Sequence, residues 1–188
     1  MVLEKKKIQL PPIDRSIKKK TFVFDLDETL IHCDSDPTKP CDFLVEMTFP
    51  NGNKAKAGIN MRPGAIELMK SLKPVAEIIV FTASHNCYAT AILDKIDPNN
   101  EIIDHRFCRK HCVPNKQKVF VKDLRIFNRD IKDIVLIDNA AHAFGYQIDN
   151  GIPIIPYYKG KTDDEMQDLY EYLKLLLDVP DVREVNKK

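Results

Sequence analysis

Three times in this chain, a run of β-branched and aromatic residues stops abruptly in polar side chains. The stretches are FVFDLD (22–27), IIVFTAS (78–84) and IVLIDN (134–139). Each reads as a buried strand with a polar end. Segments of helical spacing lie between them, AIELMKSLK (65–73) behind Pro63-Gly64 and NCYATAILDKID (86–97) before Pro98. Strands alternating with helices define an α/β domain around a largely parallel sheet. In open parallel sheets, ligands bind beyond the carboxyl ends of the strands. The three polar ends are therefore expected to share one crevice.

The remaining segments fit around this frame. Residues 1–17 are polar, and Pro11-Pro12 prevents any long helix there, so they are expected as a tail ahead of a single domain over 18–185. DFLVEMTF and KAKAGINM alternate polar and apolar residues on either side of PNGN (50–53), which predicts a hairpin over 42–61. HRFC (105–108) is a short strand candidate, and VFVKDLRIF (119–127) matches neither period cleanly. The prolines of GIPIIPYY (151–158) suit an edge strand. Thr162 and Glu165 predict a capping box for an amphipathic helix over 163–177.

Composition narrows the function. The chain has 188 residues, 44% of them hydrophobic, enough for one domain with a real core. Twenty-nine basic residues face 28 acidic ones, which argues against direct nucleic-acid binding. No apolar stretch approaches the roughly 20 residues of a membrane span, and no secretory leader is evident. A soluble, intracellular protein, nuclear or cytoplasmic and monomeric, is expected. Five irregularly spaced cysteines favour free thiols over a disulfide framework. Cys108, His111 and Cys112 of CRKHC lie close together but do not complete a tetrahedral zinc site. Neither G-x-G-x-x-G nor a Walker motif occurs.

The strand ends carry side chains suited to phosphoryl chemistry. Asp25 and Asp27, two apart, project to the same side of an extended backbone. Asp138 and Asn139 add a carboxylate and an amide from a neighbouring strand. Clustered acids raise one another's pKa unless a cation lies between them, and an oxygen set of this kind suits Mg²⁺. One carboxylate can attack phosphorus while its neighbour passes a proton to the leaving oxygen. Thr82 offers a hydroxyl to a phosphoryl oxygen, and Lys122 a positive charge. Taken singly, each feature has an ordinary reading: DxD as a loop, Thr82 as β-propensity, Lys122 as surface, Asp-Asn as a turn. Their joint occurrence at three strand ends favours a site.

Several of these stretches resemble a known family. DLDETL (25–30) resembles the nucleophile motif of the haloacid dehalogenase superfamily, and VFTAS, VKDL and LIDN its later motifs. Together with MRPG (61–64) and FCRKHC (107–112), they are similar to the NLI-interacting-factor-like small phosphatases of the RNA polymerase II C-terminal domain. The resemblance covers about residues 18–185. It implies a Rossmann-like core with a mostly parallel sheet flanked by helices, a short three-stranded β insert after the first motif, and no large cap. It implies a Mg²⁺-dependent protein serine/threonine phosphatase acting on a phosphorylated protein or peptide. Asp25 would be the nucleophile that becomes an aspartyl-phosphate, and Asp27 the general acid/base with its backbone carbonyl on the metal. Asn139 would be a metal ligand beside Asp25, and Asp138 a supporting carboxylate. Thr82 and Lys122 would hold the phosphate. Ser84, Tyr88 and Arg109 would contact substrate, and Thr29 would steady the turn. DNAA (138–141) departs from the family's Asp-Asn-Ser-Pro, and His85 and Cys87 depart beside the groove. A noncatalytic phosphopeptide-binding module and a small-metabolite phosphatase are the alternatives.

Overall fold

A computed structural model describes residues 3–115, 119–159 and 162–187. Its centre is a five-stranded parallel sheet of β1 (Lys20–Phe24), β5 (Ala76–Phe81), β6 (His105–Phe107), β9 (Ile134–Asp138) and β10 (Gly151–Pro153). The order β10-β9-β1-β5-β6 places the three fully buried strands side by side, with β1 in the middle. β10 lies at an edge, where a proline withholds no needed ladder donor. Alternation along β1 divides the core: Phe22 and Phe24 face one side, Val23 the other. On the first side, the sheet is covered by α1 (Ala65–Leu72), α2 (Asn86–Ile96) and α3 (Glu165–Leu176) through Leu68, Met69, Leu93 and Leu173. A last short helix, α4 (Val182–Asn186), adds Val182 to this side.

On the second side, the cover is made of 3₁₀ turns and loops. Leu124, Ile126, Phe127 and Phe144 pack there with Phe81 and Phe107. The amino-terminal segment contributes as well. Leu10 is buried, Ile8 bridges Phe127, and Asn128 holds the Leu10 backbone at both ends. Leu10, with Leu3 and Ile8 packed partly buried against the same cluster, thus anchors a largely polar stretch.

A separate antiparallel sheet, β2 (Ile31–Asp34), β4 (Lys54–Met61) and β3 (Phe43–Thr48), follows directly after β1. It is the expected insert, and its β3–β4 hairpin turns at Asn51-Gly52. Gly52 has φ +84°, a conformation that favours glycine there. The described residues include no larger inserted domain. Two short strands, β7 (Val113–Pro114) and β8 (Phe120–Val121), complete the elements. Among the described residues, no helix is long and apolar enough to cross a membrane. All five cysteines are free thiols.

The expected capping box at Thr162 and Glu165 is not formed. α3 begins at Glu165 with Asp164 in the N-cap position and no side-chain cap bond. The chain ahead of the helix is directed instead by Asp163, whose carboxylate receives a two-pronged pair of bonds from Arg62. Gly64, at φ +77° before α1, lets that helix approach α3. A Cβ there would lie 3.2 Å from the Cβ of Met166.

At the amino-terminal end of the sheet, Glu77 is buried among donors from Arg129 (2.7 and 2.8 Å) and Thr21 (2.7 Å), with His105 at 3.4 Å. Burial alone would raise its pKa, but the bonds from Arg129, His105 and Thr21 outweigh burial and bring it down to about 2. A carboxylate depressed in this way adds stability in full above its unfolded value of about 4.5 and loses it as pH falls towards 2. Glu77→Gln should cost about 3 kcal/mol at neutral pH. It should also flatten the acid limb of the midpoint-versus-pH curve in thermal denaturation.

Candidate active site

β1 delivers the first two acids. The Asp25 N–H donates to Ile137 O (2.9 Å), extending the β1–β9 ladder by one residue, so the Asp25 carboxylate emerges where the sheet ends. The chain then folds into a tight turn in which Leu26 O accepts from Leu30 N (2.9 Å) and Ile31 N (3.1 Å). Glu28 sits at φ +56°, uncommon for a residue with a Cβ, and is held by Glu28 N–H to Ile31 O and Tyr157 N–H to Glu28 O. The turn buries Thr29, whose hydroxyl donates to Asn139 Oδ1 (3.4 Å) and ties the first strand end to the third.

Lys122 lies just after β8, with its backbone N–H on Ala143 O (2.8 Å). Its side chain is 2% exposed, and its ammonium contacts Asp25 Oδ1 and, at 2.6 Å, Asp138 Oδ2. The other Asp138 oxygen accepts from Ala140 N (2.8 Å). Burial pushes the Asp25 carboxyl up to about 7. Lys122 pulls it down, and Asp138 adds to the rise. Burial works against the Lys122 charge, but the two carboxylates more than offset it, so the group stays an ammonium.

Asp27 has a different environment. Its Oδ2 accepts from Ser84 Oγ (2.7 Å) and Thr82 Oγ1 (3.2 Å), and its Oδ1 from Tyr88 OH (2.5 Å). The donors come from the loop after β5 and from the first turn of α2. Burial and the Asp27 charge push the Tyr88 phenol well up, so it remains a donor. The Thr82 hydroxyl also accepts from Ser84 N (2.9 Å), which fixes the loop's path. Arg109 lies at the rim, its Nε on Ala83 O (2.6 Å) and its guanidinium 5.2 Å from the Phe120 ring centre.

All of the residues singled out from the sequence for catalysis, substrate contact or metal binding line one cleft of about 800 Å³. The cleft also contains residues that the sequence reading missed, among them Phe49 and His142. Phe49 precedes the hairpin turn, and its ring packs on His85 (centroids 5.8 Å apart). Nothing in local spacing points from that hairpin tip to the site. His85 itself serves as the N-cap of α2, its Nδ1 accepting from Cys87 N (3.3 Å). In CRKHC, the His111 ring accepts from the Cys108 N–H (3.1 Å), closing a local turn. Among the described residues, no three His, Cys, Asp or Glu side chains converge as a ligand set.

Known proteins place this geometry. The model of the NLI interacting factor-like phosphatase family matches residues 20–183. The chain belongs to that family. It is 38% identical over 179 residues to CTD small phosphatase-like protein 2 of Dictyostelium discoideum, covering 94% of this chain and 30% of that protein. It is 37% identical over 177 residues to CTD small phosphatase-like protein 3 of Caenorhabditis elegans, covering 94% and 61%. With CTD nuclear envelope phosphatase 1B of Danio rerio, it shares 32% identity over 190 residues, covering 95% and 77%. The chain thus spans between 30% and 61% of the two small-phosphatase-like relatives. Its fold is similar to that of a fission yeast RNA polymerase II CTD phosphatase Fcp1 variant bound to beryllium fluoride. The TM-score is 0.61 at 18% identity, covering 93% of this chain and 52% of that one. The parallel core and the three-stranded insert are those expected from the resemblance.

Removing the Lys122 ammonium leaves Asp25 and Asp138 buried without their partner. Lys122→Met should cost about 3–5 kcal/mol in denaturant unfolding. Adding Asp138→Asn should cost far less than its effect alone, which a double-mutant cycle reads directly.

Proposed function

We propose that this chain is the catalytic domain of a Mg²⁺-dependent phosphoserine/phosphothreonine protein phosphatase that works through an aspartyl-phosphate on Asp25. The observation that carries the reading is the buried Lys122 ammonium between Asp25 and Asp138, at the mouth of a cleft where Asp27 is held apart on hydroxyl donors. A nucleophile and a proton carrier need such different surroundings.

The residues fit a hard divalent cation. Two buried carboxylates share one ammonium, which leaves one negative charge unbalanced; burial first, and Asp138 beside it, raise the Asp25 carboxyl to about 7 against the pull of Lys122. The donors are all oxygens: the Asp25 carboxylate, the Asp27 backbone carbonyl and the Asn139 amide. So small a protein set suits Mg²⁺, which keeps several of its waters. When bound, the ion would neutralise charge on Asp25 and the phosphoryl group.

With Asp25 Oδ1 on Lys122, Oδ2 is the oxygen available to attack phosphorus. The phosphorus–oxygen ester bond breaks, and the leaving serine oxygen takes its proton from Asp27. Water then attacks the phosphorus of the aspartyl-phosphate and gives a proton back to Asp27. The bond to Asp25 breaks and inorganic phosphate departs. Lys122 balances negative charge on the equatorial oxygens, with Thr82 able to turn its hydroxyl to them. Arg109 and the rim aromatics would position a peptide. The substrate is a phosphorylated protein, with the repeats of the RNA polymerase II C-terminal domain as the first class to try. The chain would act as a monomer in the nucleus or cytoplasm.

A panel of singly phosphorylated heptad-repeat peptides and sugar phosphates, with and without Mg²⁺, tests the reading. Phosphate release should require Mg²⁺, favour peptides, and fall more than about 1,000-fold in Asp25→Asn. Asn139→Ala should raise the Mg²⁺ concentration for half-maximal rate about tenfold or more and weaken the Mg²⁺-induced thermal shift in parallel. An intact fold that binds phosphopeptide without turnover would leave a binding module instead.

A further inference from the structure

Among the described residues, Asp27 takes its three side-chain bonds from hydroxyls, whereas Asp25 and Asp138 are tied to an ammonium. The difference is chemical. An ammonium only donates, so it holds a carboxylate in the ionised form. A hydroxyl donates to a carboxylate and, on rotating, accepts from a carboxylic acid. Hydroxyl partners can therefore keep the side chain in place in both of its protonation states. Their arrangement is also directional. Oδ2 receives Ser84 and Thr82, which fill its two lone pairs, while among the described residues Oδ1 receives Tyr88 alone.

From this we infer that Tyr88 and Ser84 are positioning residues for proton transfer: they fix the Asp27 carboxyl so that Oδ1 carries the proton to and from the reacting oxygens. The inference rests on the role of Asp27 proposed above and gives Tyr88 and Ser84 work other than substrate contact. Ser84 approaches from the β5 loop and Tyr88 from the first turn of α2, so two separately anchored elements hold Asp27 towards α2. In the transfer step, Asp25 Oδ2 forms the bond to phosphorus, the ester bond breaks, and the leaving oxygen takes the proton from Asp27 Oδ1. In the second step, a water oxygen forms a bond to phosphorus and gives a proton to Asp27 Oδ1 while the Asp25–phosphorus bond breaks.

The readout is dependence on the leaving group, measured as single-turnover transfer at saturating Mg²⁺ and substrate. A serine alkoxide needs the proton as it leaves, whereas 4-nitrophenolate does not. Tyr88→Phe and Ser84→Ala should each slow transfer from a phosphoserine peptide about tenfold or more. Transfer from 4-nitrophenyl phosphate should slow less, so that the ratio of the peptide rate to the 4-nitrophenyl phosphate rate falls about fivefold or more. Asp27→Asn is the reference and should show the same contrast more strongly, by about 100-fold or more. Thermal melts establish that each variant is folded; Tyr88→Phe keeps the ring and Ser84→Ala the loop backbone. If Asp27→Asn shows the contrast but Tyr88→Phe and Ser84→Ala slow both substrates equally, or change only KM, the positioning role is overturned and the two residues are groove wall. If Asp27→Asn itself shows no contrast, the proton-carrying role of Asp27 falls, and this inference with it.

Discussion

The buried ammonium of Lys122 joins carboxylates from two strand ends that the chain brings together from more than a hundred residues apart. Asp25 follows β1, Asp138 closes β9, and Lys122 stands after β8. None of the three would be stable in its place alone, because an unpaired charge in a dry interior costs several kcal/mol. Each therefore depends on the strand order that sets β9 and β1 next to each other. The trio also carries a net negative charge in a place where charge is expensive. That unbalanced charge lines the cleft.

The turn that carries the two acids needs its own support. Glu28 in the left-handed region stores on the order of 1–3 kcal/mol, which persists only where surrounding structure over-determines it. Arg62 supplies much of that surrounding. Its side chain is fully buried. Its Nε and Nη2 each lie 2.8 Å from an Asp163 oxygen, Nη1 reaches Thr29 O (3.3 Å), and its backbone N–H donates to Leu30 O (3.0 Å). Arg62 comes from the chain leaving β4 and Asp163 from the chain entering α3. The insert and the last long helix are thus fastened to the back of the turn that carries Asp25 and Asp27, and Thr29 passes that order on to Asn139. This use of Asp163 also explains why α3 lacks the cap that its sequence advertises.

Much of the fold was legible because the strongest physical signals are local. Uniformly apolar strands, Asn-Gly at a hairpin and proline at helix ends each act over a few residues, and the structure follows them at β1, β5, β9 and Gly52. What escaped is long-range. Leu10 lies between polar neighbours and ahead of two prolines, and only the apolar pocket around Phe127 gives it a reason to be buried. VFVKDLRIF fits no period because just two of its residues form a strand; the rest is a 3₁₀ turn directed by Asp123. Thr162 and Glu165 have the spacing of a capping box, but a buried guanidinium opposite Asp163 decides the path there. At the site, the acids and the lysine could be named from motif order. Which hydroxyl would face which carboxylate could not, since Ser84 and Tyr88 reach Asp27 only through the angle at which α2 leaves β5.

The two acids have different surroundings. Asp25 and Asp27 are two residues apart, and on an extended strand they would share one environment and repel each other. The tight turn after Leu26 breaks the extension, sending one carboxylate towards Lys122 and the other towards α2. One acid then faces an ammonium, and the other faces hydroxyl donors. The division follows from backbone geometry and would hold for any substrate the cleft admits. Phe49 of the hairpin, His85, Phe120 and Arg109 border the same opening. These residues sit on the insert, a helix cap and short loops, elements that can change without disturbing the sheet ends.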